Sequence, residues 1–263
     1  MKTVYGPVSS WRLGKSLGVD PICSETKVCS FDCVYCQLGK GEKTIERRAF
    51  VSPRKLEEDF RLFEKSGLKA DVITFSGTGE PTLASNLTEL VARARKTSRL
   101  PIAVLTNSSF LGDESVAATL RGFDVVAAKL DAADESVFKA VNKPHEKIFF
   151  DDYFDGIKKF RKNYGGKFCV QAMFVEANKD CAREIALLAR ELKPNEVQVN
   201  TPLRPCAVKP LNEKQLSVIE GVFKEEGGGS QSLGKIYSVY EAKKPSVKPL
   251  DLSEVRKRKR PKP

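Results

Sequence analysis

The stretch that most constrains this chain is Cys29-Ser-Phe-Asp-Cys33-Val-Tyr-Cys36, three thiols in eight residues with C-x3-C-x2-C spacing. Thiolates this close repel one another unless a cation stands among them, so the loop has to fold around a metal. A soft, cysteine-only site selects zinc or an iron–sulfur cluster. Structural zinc closes its tetrahedron with four protein ligands in two pairs, and no second pair follows here. Cys23 stands upstream of Cys29 with five residues between them, a spacing unusual for either metal. An iron–sulfur cube is also held by four cysteines as a rule. Three leave one position open, which marks a catalytic rather than a structural site.

Beyond the run, apolar strands alternate with amphipathic helices. Ser52-Pro53 reads as an N-cap and first helical residue, with Leu56, Phe60 and Phe63 on one face and Gly67 as the stop. Strands follow at 71–76, 102–106, 124–130, 167–175 and 196–200, after a first one near Gly18-Val19-Asp20. Between them, capping boxes at Asn86-x-x-Glu89 and Asn212-x-x-Gln215 open helices, and others run from Asp113 and around Tyr153–Tyr164. This spacing means repeated βαβ units on a parallel sheet, six in number. The organisation expected is an N-terminal extension (1–20), a barrel domain (15–226), a C-terminal strand region (227–242) and a basic, disordered tail (243–263). Trp11 is expected to be a core or cap residue.

The cysteine spacing, with Tyr35 before the last cysteine, resembles the signature of the radical S-adenosylmethionine (SAM) superfamily. The resemblance implies an α/β fold, a partial (β/α)6 TIM-like barrel. It also implies that Cys29, Cys33 and Cys36 hold a [4Fe–4S] cluster whose fourth iron chelates S-adenosylmethionine. Reductive cleavage of that cofactor would give a 5′-deoxyadenosyl radical that abstracts hydrogen from a substrate. A low-potential donor such as ferredoxin or flavodoxin would supply the electron. More narrowly, Tyr5-Gly-Pro-Val-x-Ser-x-Arg-Leu-Gly-x-Ser-Leu-Gly-Val-Asp20, Cys33-Val-Tyr-Cys-Gln-Leu-Gly39 and Asn200-Thr-Pro-x-Arg-Pro205 look like the Fe–S oxidoreductases grouped with wyosine tRNA synthases. That likeness spans residues 4 to about 225. Wyosine synthases carry a further cysteine set ahead of the radical motif, and here no cysteine precedes Cys23. The superfamily chemistry carries over; tRNA as substrate is the weaker part, with a protein or small metabolite as the alternative. A zinc-stabilised nucleic-acid-binding module is the non-enzymatic rival.

In parallel α/β barrels the chemistry sits where strands end, on the C-terminal rim. The second strand ends in Ser76-Gly77-Thr78-Gly79-Glu80-Pro81, similar to the superfamily's Gly-Gly-Glu-Pro motif, with threonine between the two glycines as a departure. The resemblance gives Glu80 the methionine ammonium of the cofactor, and the glycines suggest close backbone approach to a ligand. Tyr35, Asn107 and Asp131 are further candidates for cofactor contacts. Lys129 faces either the barrel interior, to hold a carboxylate or form an imine, or the helix layer, in a salt bridge; one residue of register decides. Cys206 follows the last barrel strand near the open mouth, where a thiol would return a hydrogen atom to a product radical. Arg204 beside it suits a substrate phosphate or carboxylate. Cys169 and Cys181 read as buried hydrophobes. His145 is the sole histidine, which nearly rules out histidine-based triads and zinc-hydrolase sites and favours cofactor chemistry.

Composition adds bounds. An apolar share of 41% supports a core. No apolar run is long enough to span a membrane and no signal region opens the chain, so the expected compartment is cytoplasmic. Seven unevenly clustered cysteines do not form a disulfide framework. The net charge of +11 lies mostly in residues 243–263, where nine Lys/Arg face Asp251 and Glu254. Such a tail adds sequence-independent affinity for RNA without choosing the partner.

Overall fold

The computed structural model describes residues 1–228, 233–243 and 245–257. A hairpin of β1 (Val4–Ser10) and β2 (Gly14–Val19) leads into a short parallel pair, β3 (Lys27–Cys29) and β4 (Gly41–Lys43), that frames the cysteine loop. Helix α1 (Pro53–Lys65), β5 (Val72–Phe75), α2 (Leu87–Thr97) and β6 (Ile102–Thr106) follow. Then come α3 (Glu114–Leu120), β7 (Val125–Lys129), the helix pair α4 (Glu135–Val141) and α5 (Phe150–Lys162), and β8 (Lys167–Met173). Helix α6 (Ala182–Glu191), β9 (Glu196–Asn200), α7 (Glu213–Glu226), β10 (Lys235–Ser238) and α8 (Leu252–Lys257) complete the order.

The main sheet runs β1-β2-β5-β6-β7-β8-β9-β10, parallel throughout except for the antiparallel edge strand β1. The six parallel strands expected from periodicity are β2 and β5 to β9. The segment set apart as a C-terminal strand region supplies a seventh, because α7 returns the chain so that β10 pairs in register with β9, Tyr237 opposite Gln198. β1 and β10 are not hydrogen-bonded neighbours, so the barrel stays open. At the N-terminal end of the strands a ring contact spans the gap: Trp11, in the β1–β2 turn, meets Tyr237 edge-on at 5.5 Å.

Local sequence explains the helices. Ser52 Oγ accepts from Lys55 N at 3.2 Å ahead of Pro53, and Leu56, Phe60 and Phe63 bury one face of α1. Asn212 and Gln215 form both bonds of a capping box on α7. The box expected at Asn86 does not form: its Nδ2 donates to Val51 O at 2.9 Å, so the side chain satisfies a loop carbonyl instead of capping α2. Fully buried rings, among them Phe60, Phe75, Phe160, Phe168 and Phe223, fill the space between helices and sheet. Each contributes about 1.5–3 kcal/mol by leaving water.

Residues 245–257, read from composition as part of a solvated tail, lie against β1: Leu250 N donates to Gly6 O at 2.6 Å, and Glu254 accepts from Lys2 N at 3.0 Å. Val255 is buried there, 3% exposed. Gly229 of the glycine run and the polybasic end 258–263 lie outside the described residues.

Candidate active site

The cysteine loop is stitched to the barrel on two sides. On one, β3 continues into the loop after β5: Val28 N donates to Thr78 O at 3.0 Å and Glu80 N to Val28 O at 3.1 Å. On the other, Asp32 N and Val34 N donate to the carbonyls of Asn142 (3.1 Å) and Val141 (2.9 Å) at the end of α4. Phe31 anchors the loop below, edge-on to Phe138 at 5.3 Å.

The glycine motif serves this stitching. A β-carbon on Gly77 would run into the carboxylate of Asp20, and one on Gly79 into the carbonyl of Val28. Both glycines also line the cavity described below. Their lack of side chains is required first by the approach of two protein segments, not by a ligand as the sequence suggested. Thr78, the departure from the motif, donates its hydroxyl to Asp20 at 3.0 Å and accepts from Ser24 N at 3.0 Å.

A cavity of about 590 Å³ lies inside the barrel. Cys29, Tyr35, Cys36, Gly77, Gly79, Glu80 and Asn107 line one side, at the ends of β5 and β6. Arg12, Lys129, Gln171, Met173, Asn200 and Arg204 line the rest, and Val255 of α8 borders it. A second hollow of about 460 Å³, between α7 and the segment after β10, contains none of the cysteines.

Burial pushes the Cys33 thiol up to about 12, helped by the negative charge of Asp131. Burial raises Cys29 and Cys36 as well, with Glu80 adding to the effect at Cys29. Thiolates here are therefore costly without a cation. Partial compensation is built in. Asn107 Nδ2 donates to Cys29 Sγ at 3.5 Å, and Asn142 Nδ2 to Cys33 Sγ at 3.7 Å. Lys27, its side chain only 1% exposed, pairs with Asp32, and its charge favours thiolate at Cys36. Among the described residues no three Cys, His, Asp or Glu side chains converge on the space of one metal ion. A cube takes one thiolate per iron, so three cysteines hold three of its irons and leave the fourth open. The donor set fits the cluster.

Glu80 is 2% exposed. Its Oε1 accepts from Thr82 N (3.1 Å), Thr82 Oγ1 (2.7 Å) and Thr106 Oγ1 (2.7 Å), and its Oε2 from Asn107 N (2.6 Å). Burial nevertheless lifts it above the usual carboxylate range. Pro81 opens a buried 3-10 turn that places these Thr82 donors.

The remaining sequence candidates divide. Lys129 faces the interior: it lines the cavity, pairs with Asp131 Oδ1 at 3.1 Å and lies 4.7 Å over the Tyr35 ring. The helix-side salt bridge is thus ruled out, and the amine is engaged by a carboxylate. Asp131 stands behind Tyr35, not on the cavity, accepting from the Tyr35 hydroxyl, Asn142 Nδ2 (2.8 Å) and Met173 N (2.7 Å). It positions the cysteine loop. Cys206 does not line the cavity either; its thiol donates to Val208 O at 3.1 Å, within electrostatic reach of Cys36. Sequence reasoning passed over Lys27, Asn142 and Arg12. Lys27, a lysine two residues before a buried cysteine, carried a readable signal; Asn142 carried none.

Three comparisons bear on this geometry. The family model of the radical SAM superfamily matches residues 24–189. A UPF0026 protein of Methanocaldococcus jannaschii is 40% identical over 231 residues, covering 85% of this chain and 70% of that protein. One from Synechocystis is 38% identical over 213 residues, covering 80% and 78%. The solved structure of Streptococcus suis SuiB bound to S-adenosylmethionine superposes with a TM-score of 0.64 at 14% identity, over 86% of this chain. The chain spans about half the length of SuiB, 50%, and the likeness is one of fold.

Proposed function

The chain belongs to the radical SAM superfamily, and from that premise we propose that Cys29, Cys33 and Cys36 hold a [4Fe–4S] cluster beside a S-adenosylmethionine site in the barrel cavity. One observation carries the reading: the desolvated thiols of Cys29 and Cys36 line the same cavity as Glu80, Gly77 and Gly79, with Cys33 beside them in the loop. When bound, the cluster and cofactor supply reductive cleavage to a 5′-deoxyadenosyl radical that takes hydrogen from the substrate.

The chain's residues do the rest. Glu80 offers Oε2, which has one protein donor against three on Oε1, to the cofactor's ammonium. Asn107 ties that carboxylate to Cys29, so cofactor and cluster ligands share one scaffold. Tyr35, held by Asp131, fixes the loop between Cys33 and Cys36. Leu105, Ala127 and Met173 give the cavity wall no exchangeable hydrogen and help exclude water. A low-potential donor such as ferredoxin or flavodoxin delivers the electron.

The test is anaerobic reconstitution with dithionite and S-adenosylmethionine, scoring 5′-deoxyadenosine. Wild type should form it and Cys33→Ala should not. Colourless, zinc-loaded protein would overturn the reading.

A tRNA substrate is the second reading, favoured by the basic surplus of residues 243–263 and by α8, which borders the cavity through Val255. It requires 5′-deoxyadenosine formation to rise with tRNA and to lose that response when residues 258–263 alone are removed, which keeps α8 in place. An enzyme for a protein or small metabolite ignores tRNA and keeps its activity without those residues.

A further inference from the structure

The part of the cavity away from β5 and β6 holds hydrogen-bond donors that no acceptor among the described residues meets, although Gln198 Oε1, likewise unpartnered, stands on β9 opposite Gln171. Arg12 sits in the β1–β2 turn, and its Nε is shut from solvent without a hydrogen-bond partner. Gln171, on β8 and 8% exposed, leaves Nε2 equally unpartnered. Arg204, in the loop after β9, is held only through Nη1 by the neutral Gln37 Oε1 at 2.8 Å. Among the described residues neither guanidinium has a carboxylate partner.

The charge balance agrees. Arg12, Lys129 and Arg204 line the cavity against a single carboxylate, Glu80, which already accepts from Thr82, Thr106 and Asn107. Lys129 is neutralised by Asp131. Burial, with the repulsion of Arg204 behind it, brings Arg12 down to about 10. The enclosed Arg12 charge, the repulsion from the exposed Arg204 at the cavity's edge and the orphaned Gln171 amide are costly to the empty protein, and an anion offsets them together. Guanidinium forks match the planar or tetrahedral oxygens of carboxylate and phosphate.

Resting on the radical SAM reading above, we propose that Arg12, Gln171 and Arg204 form the substrate-recognition end of the cavity and bind an oxyanion, carboxylate or phosphate, of a small-molecule substrate. The strand order separates the two ligands: the cofactor's residues stand on β5 and β6, the anion's on β8, the loop after β9 and the hairpin turn that meets β10. A substrate anchored there presents its reacting carbon toward the cysteine loop.

The test uses reconstituted holoprotein saturated with S-adenosylmethionine, titrated calorimetrically with inorganic phosphate and, separately, with acetate. One of the two should bind saturably, and which one does names the anion class. Arg12→Gln and Arg204→Gln should each weaken it about tenfold or more, and Gln171→Leu should weaken it less. Arg12→Lys guards against misfolding by keeping the charge. Arg99→Gln, an exposed site elsewhere, should leave binding unchanged. Failure of both anions to saturate, equal weakening by Arg99→Gln, or competition with S-adenosylmethionine overturns the proposal; competition would make this the cofactor's own carboxylate site. Formation of 5′-deoxyadenosine by the same wild-type preparation separates the two readings. Cleavage without anion binding sinks only this inference, whereas anion binding without cleavage sinks the parent reading.

Discussion

The carbonyl oxygen of Val28 occupies the space that a β-carbon on Gly79 would need. The two residues form the only bridge between β3 and the loop after β5 among the described residues, and Glu80 N extends it by donating to the same carbonyl at 3.1 Å. Cys29, next to Val28, and Glu80, next to Gly79, are therefore set by one close backbone approach. Gly79→Ala should separate them. Overpacking of this kind costs about 1–3 kcal/mol. Chemical denaturation should show that loss in the apoprotein, and iron retained after desalting should fall with it. Wild-type values for both would remove the stitching role.

The desolvated, partly buried thiols make cluster loading depend on pH. With Cys33 pushed up to about 12 and Cys29 and Cys36 raised too, binding must release protons. Reconstitution followed by charge-transfer absorbance should accelerate from neutral toward alkaline pH. Cys29→Ala, Cys33→Ala and Cys36→Ala should each abolish the absorbance, and Cys181→Ala should retain it. A loading rate indifferent to pH would contradict the burial argument.

Asn142 donates to Cys33 Sγ at 3.7 Å and to Asp131 at 2.8 Å. An N–H···S bond stabilises the more negative, reduced cluster, so Asn142→Leu should move the midpoint potential to more negative values. Redox titration monitored by electron paramagnetic resonance measures it. An unchanged potential would mean that Asn142 serves Asp131 alone.

Glu80 gives a stability slope of definite sign. Its folded value is raised by burial, so between the ordinary and the raised value the folded state binds the extra proton. Stability of the apoprotein should fall as pH rises through that window, and be fully present below it. Glu80→Gln should flatten this part of the curve and abolish 5′-deoxyadenosine formation. Denaturant midpoints measured across the acid-to-neutral range check the sign.

Trp11 spans the gap in the barrel by meeting Tyr237. Being only partly buried, it should cost about 1–3 kcal/mol on change to alanine, below the figure for a fully buried ring. Trp11→Phe should recover most of that. Equal stability of all three proteins would show the sheet edges to be independent.

Much of this was legible along the chain because the signals are local. The spacing of Cys29, Cys33 and Cys36, the period of Leu56, Phe60 and Phe63, and the box at Asn212 each depend on residues within a turn or two of one another. Where a side chain had two possible partners, neighbours in sequence could not choose. Asn86 capped nothing because the distant Val51 carbonyl took its amide. Lys129 turned inward because the register of β7 against β8 put it beside Asp131 and over Tyr35.

The sequence by itself determined the superfamily's cysteine motif and the alternation of strand and helix, since residue type, spacing and hydrophobic period are properties of short segments. Only the tertiary structure decided that β10 joins the sheet, that Gly79 serves the approach of two backbones, and that Arg12 and Arg204 share a cavity. Those outcomes come from contacts between residues far apart in the chain, and solvent exclusion turns such contacts into energies only once the barrel has formed around them.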